Sequence, residues 1–296
     1  MSDARYLQLD VFADRIGGGN PLGVVLDASD WSDAAMQAFA GWTNLVETTF
    51  LLPPTVPKAS YRLRIFTPTR EIPFAGHPSI GSAHAALDFG ELVPQAGLMF
   101  QECGAGLLPI RVEGDGATRR IFVQAPSAKV LHTGIDNPHL RSVLGGLALG
   151  SMPPAFVEGG RRWWMAEFAS ESGLRDWHPD HTAIAALAKA TDSLGLCAFA
   201  RTHNPDYELV VRAFPAGVGI VEDPASGAAN GLIAAYIAWQ EPDGPLARGY
   251  RVSQGREMDR DARIRIRIEG DAVWVGGRTQ TVVVGTTRWN ENSAHH

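Results

Sequence analysis

The sequence predicts a two-domain α+β protein in which each half is rich in strands and holds one buried helix. The segment at 73–87, PFAGHPSIGSAHAAL, has a second copy at 221–232, VEDPASGAANGL, close to half a chain away. In both copies a strand-like segment leads to a proline, which suits the first turn of a helix, and then to an Ala/Gly-rich run. Because small residues let neighbouring backbone approach closely, we expect each helix to lie at the centre of its domain. A chain of 296 residues is long enough for two such cores.

Composition limits the classes of function. A hydrophobic content of 45% and a charged content of 20% are typical of a globular protein. The net charge of −6 argues against nucleic acid as a main partner, because phosphate binding needs a basic surface. No apolar run approaches the ~20 residues of a membrane span, and no signal region precedes the first strand. With only Cys103 and Cys197, no disulfide framework is expected, so we expect a cytoplasmic protein without a membrane partner.

The elements of the first half follow from periodicity and from turn residues. Ser32 is a candidate N-cap for a helix, and Asn44 marks a turn before a strand that Pro53 and Pro54 end. The glycine-rich loop at 17–21 can bring backbone close to a ligand. A hairpin or meander is expected around the Gly-Asp-Gly at 114–116. The predicted strands are 6–12, 22–26, 46–52, 61–67, 98–113 and 119–124, and the predicted helices are 33–41 and the second part of 73–87.

The second half repeats this plan more loosely. The strictly alternating run at 263–268 predicts a half-solvated strand. Ala125-Pro126-Ser127 is the best candidate boundary, so we predict domains at 1–127 and 128–277, with a C-terminal strand at 278–290 completing the first. The remaining predicted strands are 159–166, 194–201, 208–214, 272–275 and 280–284, and the helices are 138–149, 182–190 and 226–239.

Glu47 is the first candidate for chemistry. It lies in an otherwise neutral run, 44–52, at the point where a strand begins. A carboxylate in that position is either solvated at the strand edge or held in a cleft. Partial burial in a cleft would raise its pKa toward the range that suits a general acid/base group.

His77 and Asp223 occupy matching positions in the two copies of the repeat. Helix N-termini carry unpaired N–H groups and partial positive charge, so two of them facing one cleft would bind an anion such as a substrate carboxylate. Asp is a common N-cap, which leaves capping as an alternative for Asp223, whereas His is a poorer cap. Both segments acting only as packing helices is the other alternative.

Other conspicuous residues have simpler explanations. Cys103 falls inside the predicted hairpin and is expected to be a structural thiol. His178 and His181 have too few partners for a metal site and are expected on a surface loop. Trp163 and Trp164 suit a core or an interface better than a ligand platform. No dinucleotide-binding or P-loop glycine pattern is present.

Four segments together resemble the PhzF-like family, which is named for a phenazine-biosynthesis isomerase and is related to diaminopimelate epimerase. The resemblance spans nearly the whole chain in order. It implies a diaminopimelate epimerase-like fold, in which each domain is a curled, barrel-like sheet around a central helix, with the site between the domains. It also implies a homodimer, a small carboxylate substrate, and chemistry without metal or organic cofactor. The segments are Asp10–Phe12 with Gly19–Pro21, Asn44–Phe50, Arg64–Pro68 through Gly76–Gly81, and Glu222–Gly227, with a weaker match at Gln254-Gly255.

The resemblance also implies roles for single residues. Glu47 matches the family's proton carrier, and His77 and Asp223 match the residues that assist it. Gly76 and Gly227 match residues whose backbone amides help to hold the substrate carboxylate, and Asn20 and Ala228 fall at further substrate-binding positions. In the related epimerases two cysteines act at the two helix starts, and we assign these positions to Ala75 and Asp223, which excludes two-thiol chemistry.

Three departures from the family pattern bear on the substrate. Ala228 and Val46 each replace a usual serine, and Asp259 stands where the family often has glycine. We therefore expect a cofactor-independent isomerase, similar to trans-2,3-dihydro-3-hydroxyanthranilate isomerase, that moves a proton on a different small unsaturated or cyclic carboxylic acid. An epimerase of a hydroxy or amino acid and a catalytically silent metabolite-binding protein remain the alternatives.

Overall fold

The computed structural model describes residues 3–289, and these residues form 17 strands and six α-helices. The strands are β1 Ala4–Val11, β2 Asn20–Leu26, β3 Thr48–Leu52, β4 Tyr61–Phe66, β5 Glu71–Ile72, β6 Leu98–Cys103, β7 Gly106–Glu113, β8 Arg120–Gln124, β9 Lys129–Thr133, β10 Ala155–Gly159, β11 Arg161–Phe168, β12 Leu196–Arg201, β13 Leu209–Phe214, β14 Gly249–Gln254, β15 Ala262–Glu269, β16 Ala272–Gly277 and β17 Thr279–Thr287. The helices are α1 Asp33–Thr43, α2 Gly76–Phe89, α3 Pro138–Leu144, α4 Glu171–Arg175, α5 His181–Thr191 and α6 Gly227–Gln240.

Contacts divide these residues into two compact units, 3–124 with 276–289, and 125–275. In the first unit the strands pair in the order β17-β1-β2-β3-β4-β6-β7-β8, and in the second they pair as β9-β10-β11-β12-β13-β14-β15. Two pairs are parallel in each unit, β2–β3 and β4–β6 in the first and β11–β12 and β13–β14 in the second. The sequence repeat therefore extends to the pattern of strand pairing. The domain bounds at 127 and 277 stay a prediction, and residue 290 lies outside the described residues.

A central helix organises each unit, as the Ala/Gly-rich runs predict. Helix α2 contacts β1, β2, β3, β4, β8 and β17, so the sheet of the first unit curls around it. Helix α6 contacts β10 and β15, which lie near opposite ends of the strand order in the second unit. Small residues allow this close packing: a Cβ atom on Gly81 would lie 2.5 Å from Leu22 Cδ2, and one on Gly231 would lie 2.8 Å from Ala125 Cβ. The predicted α+β class with curled sheets around central helices is confirmed.

The helix starts correct one expectation. Helix α2 begins at Gly76, and its N-cap residue, Ala75, makes no side-chain capping bond. Helix α6 begins at Gly227, with Ser226 Oγ accepting a hydrogen bond from Ala229 N. The structural repeat therefore aligns Gly76 with Gly227, whereas sequence matching aligned His77 with Asp223. The sequence-based register was wrong because the loop before α6 is longer than the loop before α2.

Several element bounds also differ from those predicted. The segment 98–113 is two antiparallel strands, β6 and β7, which form a meander with β8. Helix α3 ends at Leu144 because Gly145 leaves helical geometry. Trp163 and Trp164 are buried in β11, so they are core residues and supply no exposed aromatic surface. Between residues 3 and 289, no helix combines the length and apolar character that a membrane crossing needs.

Candidate active site

Glu47 is placed by the end of α1. Asn44, which caps α1 in the left-handed conformation (φ 52°), turns the chain toward β3, and Glu47 directly precedes that strand. The Glu47 side chain is only 12% exposed, and its Oε2 lies 3.5 Å from His77 Nε2. The structure therefore does not leave this carboxyl group solvated at a strand edge, and it brings together two of the three predicted catalytic residues.

His77 is the second residue of α2, and its imidazole is buried. The ring hydrogen-bonds to the backbone of Pro21. Because proline has no N–H, the Pro21 carbonyl accepts and the ring donates. His77 Nε2 has no hydrogen-bond partner among residues 3–289, so the donor is Nδ1. Burial lowers the pKa of His77 to about 3, although the bond to Pro21 opposes this shift.

The geometry leaves a neutral imidazole beside the carboxyl group at pH 7. The lone pair of His77 Nε2 is on the side of Glu47 Oε2, so a hydrogen bond between these atoms needs a proton on the carboxyl group. A protonated histidine would instead hold Glu47 in a permanent ion pair. Glu47 can therefore take up a proton and release it again without first breaking a salt bridge with His77.

The start of α2 adds backbone donors to this side of the unit. Since no side chain caps the helix, the N–H groups of Gly76 and His77 have no capping partner, and Pro78 has no N–H. Unpaired N–H groups at a helix start favour a bound anion. Asn20 is 1% exposed at the start of β2, in the same unit.

A buried carboxylate fixes the loop that leads to Asn20. Both oxygens of Asp10 accept from Gly19 N, at 3.0 and 3.1 Å. A Cβ atom on Gly19 would lie 2.1 Å from Val11 O, so glycine is required for this approach. The glycine-rich loop, which was predicted to bring backbone near a ligand, is therefore fixed by its hydrogen bonds to Asp10 of β1.

Asp223 lies in the second unit, four residues before α6, and Ser226 rather than Asp223 caps that helix. Its backbone N donates to Ala213 O at 2.9 Å, and its Oδ1 accepts from Ala225 N at 3.1 Å. Gly227 and Ala228 open α6, and Ala228 is exposed. The predicted residues Asp223, Gly227 and Ala228 therefore lie along one short segment.

An ion pair anchors the residue before Asp223. Arg212 on β13 binds Glu222 through two parallel bonds, each 2.9 Å long. Arg212 also donates to Trp177 O at 2.6 Å, and both charged side chains are less than 10% exposed. The first unit repeats this device, because Arg64 on β4 binds Glu71 through bonds of 2.8 and 2.7 Å. The two arginines begin matching tripeptides, Arg64-Ile65-Phe66 and Arg212-Ala213-Phe214.

Gln254 is a residue that sequence reasoning undervalued. It is fully buried at the end of β14, and its Nε2 donates to Asp223 O at 2.8 Å. Its Oε1 accepts from Asn230 Nδ2 at 2.8 Å and from Ser226 N at 3.3 Å. Gly255 follows with φ 91°, and a Cβ atom there would lie 2.5 Å from Pro224 O. The weak Gln254-Gly255 match was the only sequence sign that these residues hold the Asp223 loop.

The other conspicuous cysteine, histidine and aspartate residues lie in strands, surface loops and turns. Cys103 is half-buried at the end of β6, and burial raises the pKa of Cys197 in β12. His178 is exposed and contacts Asp176 O. No group of three His, Cys, Asp or Glu residues in the described part of the chain is arranged to bind a metal ion. Asp259 has a left-handed backbone (φ 58°), which explains a usual glycine there and is a conformation that Asp tolerates.

A family profile described as phenazine biosynthesis-like protein, PhzC-PhzF, matches residues 9–286. The chain is 32% identical to antisense-enhancing sequence 1 of Schizosaccharomyces pombe, over 96% of this chain and 99% of that relative. It is 33% identical to the trans-2,3-dihydro-3-hydroxyanthranilate isomerase of Pseudomonas aeruginosa, over 90% of this chain and 91% of that enzyme. A solved PhzF-family phenazine biosynthesis protein of Bacillus anthracis superimposes with a TM-score of 0.82 at 22% identity, covering 97% of this chain and 99% of that one, and shares the fold.

Proposed function

The chain belongs to the PhzF-like family and is an isomerase of that family, and from this we propose that Glu47 moves a proton along a small unsaturated or cyclic carboxylic acid. The observation that carries the proposal is the mostly buried pair formed by Glu47 Oε2 and His77 Nε2, 3.5 Å apart. The pair adjoins a helix start without a side-chain cap. No cofactor is required for this reaction.

The proposed reaction is a proton shift that one carboxyl group performs. The Glu47 carboxylate removes a proton from one carbon, and the electrons of the broken C–H bond form a new double bond while those of the existing double bond shift toward a more distant carbon, where they form the new C–H bond. The same carboxyl group then returns the proton to the distant carbon, so no electrons are gained or lost. His77, as a neutral acceptor, orients the protonated carboxyl group between the two steps.

We propose substrate-binding roles for backbone groups and for the side chains that the family resemblance singles out. The N–H group of Gly76 suits the substrate carboxylate, because it opens α2 without a capping partner. Asn20 borders the rigid loop before β2. Gly227, Ala228 and Asp223 are proposed as further site residues, with Gln254 and Arg212 holding their segment in place.

The substrate is proposed to differ from that of the Pseudomonas aeruginosa relative. Ala228 and Val46 each lack a hydroxyl group that is usual in the family, so the hydrogen bonds available to a substrate differ. Trans-2,3-dihydro-3-hydroxyanthranilate is still the first compound to test, since a named relative acts on it. A panel of small cyclic and unsaturated acids should follow, including hydroxy and amino acids that would reveal an epimerase.

The proposal predicts that Glu47→Gln stops proton exchange. Candidate acids are incubated with the enzyme in deuterated water, and deuterium uptake is followed by NMR and mass spectrometry. A positioned acid/base group contributes ~10²–10⁴-fold in rate, so the variant should lose at least that factor while substrate affinity changes little. Asp223→Asn should also reduce the rate. Exposed Glu158→Gln is the matched control and should exchange at the wild-type rate.

Three outcomes would contradict parts of this proposal. Wild-type exchange by Glu47→Gln would make Glu47 a structural residue that only packs beside His77. Binding of an acid without any exchange by the wild-type protein would favour a metabolite-binding role. Inversion at a single carbon, without movement of a double bond, would identify an epimerase.

A further inference from the structure

A polar cavity lies in the first unit, near the C-terminal end of α2. Its volume is about 320 Å³, which is large enough for a small metabolite. Titratable and polar side chains dominate its lining, and none of them belongs to the Glu47 site. The lining includes His84, Asp88, Arg119, Arg278, Gln280 and Thr281.

Four of these side chains form a connected cluster. Asp88 accepts from Arg119 Nη1 at 2.5 Å, and its second oxygen lies 3.2 Å from His84 Nε2. The same His84 nitrogen lies 3.0 Å from Thr281 Oγ1. One imidazole nitrogen thus serves both neighbours, which is not the arrangement of a nucleophile–histidine–carboxylate triad. Burial lowers the pKa of His84, with Arg119 acting in the same direction and Asp88 opposing, so the ring is neutral at pH 7.

Arg278 differs from the rest of the lining because its donors are largely uncommitted. Its guanidinium makes one long side-chain hydrogen bond, 3.4 Å to Asp14 Oδ1, and the Asp14 side chain is 55% exposed. Guanidinium has five N–H donors, so most of them remain available to a ligand. Arg119 has a structural reason to be present, since it pairs with Asp88 in the last turn of α2. The pair that Arg278 makes with Asp14 at the cavity wall is longer, at 3.4 Å, and its carboxylate is exposed.

The charges of the lining favour an anion. Arg119 and Arg278 contribute two positive charges, Asp88 contributes one negative charge, and His84 is neutral, which leaves the lining itself with one net positive charge. Asp14, which pairs with Arg278, lies outside the lining and is exposed. Backbone from the tight turn at Gly116 and Ala117 also borders the cavity. Thr279, another lining residue, has a buried hydroxyl without a hydrogen-bond partner among the described residues. Guanidinium groups bind carboxylate and phosphate oxygens through paired N–H donors.

We propose that this cavity is a second ligand site, separate from the Glu47 site, which binds a small carboxylate or phosphate with Arg278 as its principal ligand. The proposal stands on the cavity, the uncommitted guanidinium and the net charge of the lining. It does not depend on the reaction that Glu47 performs. Binding there would make the enzyme responsive to a small anionic metabolite other than its substrate.

The test is a titration of the ¹⁵N-labelled full chain with inorganic phosphate and, separately, with acetate, followed by backbone NMR. We expect saturable shifts at 116–119 and 277–281 with a dissociation constant below about 1 mM for at least one anion. The anion that gives the lower constant identifies the ligand as phosphate-like or carboxylate-like. Shifts at Gly76 and His77, where the substrate carboxylate is expected, report the other site independently.

Arg278→Gln should weaken binding at 277–281 by at least tenfold and leave the shifts at Gly76 and His77 unchanged. Arg278→Lys keeps the charge but loses the paired donors, so its affinity for the anion should lie between those of Arg278→Gln and the wild type. Exposed Arg70→Gln removes the same charge elsewhere in the unit and serves as the control. No saturable shift at 277–281 with either anion up to about 10 mM, or equal weakening by Arg70→Gln, would overturn the proposal. Circular dichroism of each variant verifies that the fold is intact.

Discussion

His77 couples the candidate site to the stability of the protein. Its pKa falls from about 6.5 in the unfolded chain to about 3 in the fold, so between these values the unfolded chain binds a proton that the folded chain does not. The free energy of unfolding is therefore unaffected by His77 above pH 6.5. It decreases as the pH falls from 6.5 toward 3, because the unfolded chain gains a proton there and the folded chain does not. The maximum slope is about 1.4 kcal/mol per pH unit.

This coupling predicts that His77→Gln makes stability less sensitive to acid. From pH 7 to pH 5, wild type should lose about 2 kcal/mol more of its free energy of unfolding than the variant. Urea unfolding at both pH values measures the difference, and comparison with the variant removes the contributions of other groups, including His84. An equal decrease in the free energy of unfolding of the two proteins would contradict the prediction, because it would show that His77 takes up a proton in the folded protein between pH 7 and pH 5.

Single residues were predictable from sequence where their chemistry was unusual for their position. Glu47 stood out as a charge in a neutral run, and His77 as a poor cap at a helix start. Gln254 did not stand out, because a buried glutamine that bonds loop backbone looks like any polar residue before a glycine. Its role depends on β14 lying beside β13, which is a contact distant in sequence.

At the scale of the element, the central helices depend on small residues that face other backbone. We predict that Gly231→Ala lowers the free energy of unfolding by about 1 kcal/mol. The added Cβ atom would lie 2.8 Å from Ala125 Cβ, which moves only with its backbone, and overpacking of this kind costs about 1–3 kcal/mol. The better helix propensity of alanine, about 1 kcal/mol, offsets only part of this cost.

Gly285→Ala in β17 is the matched control for Gly231→Ala, because a Cβ atom there meets nothing within 4 Å. Chemical denaturation of both variants measures the effect. An unchanged or more stable Gly231→Ala protein would mean that 125 and its neighbours adjust freely, contrary to a tightly packed α6.

The elements themselves were largely predictable, because periodicity, prolines and caps act locally. Ser32 caps α1 and Asn44 ends it, as the sequence indicated. The register of the repeat was not predictable, since proline and glycine matches aligned Asp223 with His77 while the helices begin at 227 and 76. The register depends on the loop before α6 being longer than the loop before α2, and loop length leaves no periodic signal in the sequence.

At the scale of the whole molecule, a homodimer is expected from the family resemblance and stays a prediction. Trp163 and Trp164, which by sequence suited a core or an interface, are buried. The exposed apolar residues include Val282, Val283 and Val284 on β17, at 45%, 44% and 61%. Light scattering at micromolar concentration should give twice the chain mass of 31.8 kDa. A mass near 32 kDa would contradict the dimer.

The pairing of β17 with β1 has a consequence for biosynthesis. Strand β1 lies between β2 and β17, yet β17 follows the whole of 125–275 in the chain. On the ribosome, β1 therefore keeps one open edge until β17 emerges, by which time 125–275 has already been synthesised. Open strand edges pair readily with other chains, so nascent β1 is exposed to aggregation until β17 covers it.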